Sequence, residues 1–107
     1  MYDGGDEMIP KGCTCKNIFS CPYVISDIKG LFITYQQKGE IILEKKLSDC
    51  SFFPGKVSVM LSQEDTLKFY DDEIVKIQIR IKLQNDVFVK SKIIETYTDI
   101  VLKNEVI

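Results

Sequence analysis

Val75-Lys76-Ile77-Gln78-Ile79-Arg80-Ile81-Lys82-Leu83 is apolar at every odd position and polar at every even one. A period of two places successive side chains on opposite faces of an extended chain, so this run reads as a β-strand with one face in a core and one in water. Working outward, Val57, Val59 and Leu61 alternate with Ser58 and Met60, and Ile33 and Tyr35 alternate with Phe32, Thr34 and Gln36. β-Branched and aromatic residues suit such pleated, half-buried surfaces. Lys38-Gly39 marks a hairpin turn into residues 40–47, and Pro54-Gly55 separates residues 51–53 from 56–61. Asn85-Asp86 then divides the Val75 strand from a final extended stretch between Val87 and Leu102.

One segment leaves this rhythm. Ser62-Gln63-Glu64-Asp65-Thr66-Leu67-Lys68-Phe69 offers Ser62 as an N-cap and Asp65 three residues on, with acidic residues where a helix dipole favours them. The spacing predicts one short helical turn over 62–69, with Leu67 and Phe69 closing the bottom of the core. About seven strands and no helix long enough for a βαβ crossover fit an all-β domain, a single antiparallel β-sandwich, with a small closed barrel as the alternative. Residues 1–10 read as a flexible N-terminal tail, glycine-rich and acidic, leaving 11–107 as one domain.

Composition narrows the function classes. At 107 residues, 45% hydrophobic and 28% charged, the chain belongs with soluble globular domains, and no apolar run approaches a membrane span. Net charge is -2 and Arg80 is the only arginine, which argues against nucleic acid as a partner. Histidine is absent, removing the commonest acid–base catalyst near neutrality, and no glycine-rich phosphate loop, nucleophile elbow or cofactor fingerprint occurs. The carboxylates of Asp71-Asp72-Glu73 fall in a turn. Neither an enzyme nor a cofactor-binding protein is expected. Tryptophan is absent and no aromatic platform is identifiable, which counts against carbohydrate adhesion.

Cys13, Cys15, Cys21 and Cys50 are even in number, yet no export signal accompanies them and their spacing lacks zinc knuckles. In an extended segment residues 13, 15, 17, 19 and 21 share one face, so reduced core cysteines are the favoured reading, with a thiolate zinc site or disulfides as alternatives. The outward residues of the Val75 strand form the one surface feature with a functional reading. Lys76, Gln78, Arg80 and Lys82 stand about 7 Å apart along it, a candidate face for a partner that carries negative charge.

Several stretches resemble a known group. Gly12-Cys13-Thr14-Cys15-Lys16-Asn17-Ile18-Phe19-Ser20-Cys21-Pro22-Tyr23 is similar to the Gly-Thr-Thr-Pro-Thr-His-Thr-Phe-Thr-Leu-Pro-Phe opening of small phage and prophage proteins of Gram-positive gut bacteria. Ile33-Thr34-Tyr35-Gln36-Gln37-Lys38-Gly39 with Leu43-Glu44-Lys45, Leu61-Ser62-Gln63-Glu64-Asp65-Thr66-Leu67-Lys68-Phe69, Ile77-Gln78-Ile79-Arg80 and Val101-Leu102-Lys103-Asn104-Glu105-Val106-Ile107 resemble further segments of the same proteins. The resemblance supplies no activity. It implies a phage-encoded product, distantly like the immunoglobulin-like N-terminal domain of baseplate proteins. Cys13, Cys15 and Cys21 stand where that pattern has Thr, Pro and Leu, which weakens a metal role. The expectation is a non-catalytic virion component of baseplate, tail or head that binds phage subunits or itself. The alternative is a small inhibitor that blocks a host defence protein in the cytoplasm of the infected cell.

Overall fold

The computed structural model describes residues 8–107; the first seven residues of the expected tail lie outside the described residues. Among the described residues eight strands form: β1 (Cys15–Ser20), β2 (Ile28–Gln37), β3 (Glu40–Lys46), β4 (Cys50–Phe53), β5 (Lys56–Leu61), β6 (Ile74–Leu83), β7 (Phe88–Lys90) and β8 (Ile94–Tyr97). One α-helix among the described residues, α1 (Gln63–Leu67), joins β5 to β6. The strands pair antiparallel in two sheets, ordered β1-β5-β4 and β3-β2-β6-β7, with β8 also on β6. The domain is an all-β sandwich.

The strict alternation of β6 is used as its sequence implies. Val75, Ile77, Ile79 and Ile81 are buried against Ile33 and Tyr35 of β2 and against Phe19, Val57, Val59 and Leu61 of the smaller sheet. β2 and β3 turn through Lys38 and Gly39, both at positive φ, the geometry of a type I′ hairpin whose twist matches that of the strands. Gly55, also at positive φ, follows Pro54 as the second central residue of the turn between β4 and β5.

Three expectations need correction. The final extended stretch is two strands, because Ser91 interrupts it. Ser91 Oγ accepts a hydrogen bond from Ile79 N at 3.0 Å, and its own N–H donates to Ile79 O, so the chain leaves the ladder and rejoins it at Ile94. Ile9, placed in the expected tail, belongs to the fold, since it is fully buried and bridges Thr98 in parallel. Leu67 is only half-buried, and the bottom of the core is closed by Phe69 and by Thr66. Thr66 Oγ1 donates to Cys13 O and accepts from Gly12 N, tying the helix to the chain entering β1.

The capping of α1 follows the sequence. Ser62 Oγ accepts from Asp65 N at 3.0 Å and Asp65 Oδ2 accepts from Ser62 N at 2.9 Å. Lys45 Nζ adds a contact of 2.8 Å from β3. Burial works to raise the Asp65 carboxyl, but the hydrogen bonds from Lys45 and Ser62 outweigh it and hold its pKa below the ordinary value. Two buried polar groups lock the sandwich elsewhere. Tyr35 Oη donates to Asn17 Oδ1 at 2.7 Å across the two sheets. Gln37 Oε1 accepts from Tyr70 N at 2.7 Å while its amide donates to Tyr70 O and Thr98 Oγ1, which fixes the turn before β6.

Candidate functional site

The outer face of the larger sheet is built by the even-numbered residues of β6 and their cross-strand neighbours. Arg80 lies between Phe32 of β2 and Lys90 of β7, and Lys82 between Gly30 and Phe88. The expected stripe of Lys76, Gln78, Arg80 and Lys82 is present on this face, but its members do different things. Gln78 is half-buried and donates to Ser91 O at 3.1 Å, a structural bond at the break between β7 and β8. Lys82 sits 3.7 Å from Asp86 and 5.6 Å above the Phe88 ring. Lys76 is exposed beside Glu95. Arg80 is exposed and makes no ion pair among the described residues.

At the Arg80 end the face opens into a groove of about 570 Å³. Phe32 and Phe88 flank it, Leu47 from the turn after β3 adds to its wall, and Gly30 leaves room for it by lacking a side chain. Its charged lining residues are Lys46, Arg80 and Lys82, all cationic. Phe32 remains 43% exposed and Phe88 69% exposed. Two aromatic rings left this open on the two strands that flank β6 are an apolar patch that water covers at a cost, and cations around it select for an anionic partner. The sequence reading identified no aromatic platform. Phe32 did stand at an outward position of its strand, but Phe88 comes beside it only through the β2–β6–β7 register.

The cysteines separate in position. Cys21 is buried, Cys15 and Cys50 are half-buried, and Cys13 is exposed; all four are free thiols. The expectation that Cys13 shares the inward face is corrected: Cys13 N donates to Pro10 O in a turn that holds Gly12 at positive φ, so strand parity begins only at Cys15. Among the described residues no cluster of three or more His, Cys, Asp or Glu could hold a metal ion. Burial, then the neighbouring Asp49, pushes the Cys50 thiol up to about 11. A rise from 9.0 to about 11 lowers its thiolate fraction near neutrality by about 100-fold. Alkylation of the native protein with iodoacetamide at pH 7.5 is therefore expected to label Cys13 first and Cys50 only after denaturation. Peptide mapping that shows equal rates at the two sites would contradict this assignment.

The Tyr70 hydroxyl donates to Glu40, which raises the tyrosine pKa and anchors the turn before β6 to the β2–β3 hairpin. Among the described residues no helix is long and apolar enough to cross a membrane. No family model matches the chain, and no curated protein matches it.

Proposed function

We propose that this chain is a non-catalytic contact protein that docks a protein partner on the outer face of its larger sheet. The observation that carries the reading is the open groove between Phe32 and Phe88, apolar in its walls and ringed by Lys46, Arg80 and Lys82. A groove of this kind buries an apolar side chain while the cations pair with carboxylates around it, and water excluded from the centre strengthens those pairs. The resemblance of the β2–β3 hairpin, the α1 turn and β6 to phage proteins supports a place in the phage particle, as a baseplate, tail or head-associated component.

The test uses particles of the phage that encodes the chain. The protein is expected to co-purify with them and to be detected by mass spectrometry. Gly30→Val then fills the groove without backbone strain, because a Cβ at Gly30 would meet Lys82 only at an ordinary 3.9 Å. That variant is expected to keep the wild-type melting temperature and to enter particles at least about tenfold less, the loss of about 1.4 kcal/mol of contact. Undiminished incorporation rejects the groove. Absence from particles, together with a single stoichiometric host protein held by the wild type and lost by Gly30→Val, moves the function to inhibition of that host protein.

A further inference from the structure

The groove lies at one end of β6, and the other end of the same strand carries a surface of complementary chemistry. β6 begins at Ile74, which is 59% exposed on the outer face, directly after the acidic turn Asp71-Asp72-Glu73. Lys11 neutralises Asp71 at 2.6 Å and Lys38 lies 3.7 Å from Glu73, whereas Asp72 makes no ion pair among the described residues. The turn is held in place: Gln37 bonds both Tyr70 backbone groups, Tyr70 bonds Glu40, and Asp72 N donates to Asp99 O. An exposed apolar side chain on a turn held by these bonds, close in the chain to a carboxylate without an ion pair, costs little ordering entropy on binding.

We infer that the groove receives a second copy of this chain, with Ile74 of the neighbour entering between Phe32 and Phe88 and Asp72 of the neighbour meeting Arg80. This rests on the reading of the groove as a protein-docking site. Ile74 and Lys82 are eight residues apart along one strand, about 26 Å, so a single molecule cannot satisfy its own groove. Each copy therefore presents a socket at one end and a plug at the other. Such a contact is heterologous, and repeated contacts form a ring where the rotation closes and a filament where it does not. The uncompensated charges match this arrangement, since Arg80 and Asp72 would each gain in the contact a partner that neither has within the chain.

Light scattering and sedimentation of the full chain test the inference between about 10 μM and 1 mM protein. Average mass is expected to rise with concentration at about 50 mM salt and association to weaken at least tenfold at about 500 mM, where exposed charge pairs are screened. Arg80→Glu/Phe88→Ala removes the socket and Asp72→Asn/Ile74→Lys removes the plug. All four positions are exposed, and circular dichroism with thermal melting checks that both variants fold. Each variant alone is expected to stay monomeric, and an equal mixture to form a dimer that grows no further, because one intact socket meets one intact plug. A wild type that remains monomeric across the range overturns the inference, as does a mixture that stays monomeric or a variant that still self-associates. If the wild type is monomeric while Gly30→Val still loses its place in particles, the self-contact fails and the docking reading stands. If the chain self-associates as described while Gly30→Val enters particles undiminished, the reading fails at the particle.

Discussion

Phe69→Ala is expected to lower the free energy of unfolding by about 3–5 kcal/mol, the cost of a large cavity in a packed core. Phe69 is 1% exposed, and its ring stands 5.9 Å from that of Tyr35 at 72°, an edge-on contact that fills the space between α1 and β2. For a domain of this size the loss corresponds to a fall in melting temperature of more than about 12 °C. The companion is Phe88→Ala, which removes the same side chain from the rim of the groove and is expected to change stability by no more than about 0.5 kcal/mol. Urea unfolding of the two variants checks the pair. Equal losses would mean that the core and the proposed docking face are wrongly distinguished.

The second large effect concerns the hydrogen bond between the sheets. Tyr35→Phe leaves Asn17 Oδ1, in a fully buried residue, without the 2.7 Å donor it has in the native protein, at a cost of about 1–3 kcal/mol. Asn17→Leu removes the 2.7 Å bond from the other side and is expected to cost a similar amount. The double variant replaces both partners by apolar groups and should lose less than the sum of the single losses, by about 1–2 kcal/mol. A double-mutant cycle from urea unfolding at neutral pH measures this coupling. Additivity within about 0.3 kcal/mol would show that the bond contributes nothing specific.

The two predictions differ in how much of their basis could be read from residue order. Phe69 ends a capped turn whose Ser62 and Asp65 signal is local, so its burial follows from a short stretch of chain. Asn17 shares a parity face with Phe19, but nothing near it in sequence names Tyr35 as its partner 18 residues away. The same holds for Gln37, which ends β2 as an ordinary polar residue and is nevertheless 1% exposed. Buried polar residues are legible only when their partners are, and these partners lie on other strands. Cys13 shows the converse error, where a parity argument was extended through a turn that Gly12 makes possible at positive φ.

The site was legible in part. Lys76, Gln78, Arg80 and Lys82 were marked by alternation as outward-facing, and they do face outward. Alternation does not reveal that Gln78 serves Ser91, that Lys82 shares Asp86, or that Arg80 stands between Phe32 and Lys90. Those relations depend on which strands are neighbours and in what register.

Residue order alone determined strands β2 to β6 and the inward face of β6, the Lys38-Gly39 hairpin and the capped turn after β5, because each depends on forces between residues a few positions apart. Tertiary structure alone decided the groove, the buried Tyr35–Asn17 and Gln37 contacts, and the opposed ends of β6. Each of these joins side chains that the chain brings together only after two sheets have closed on one core, and the pairing energy that selects the register is spread over every strand at once.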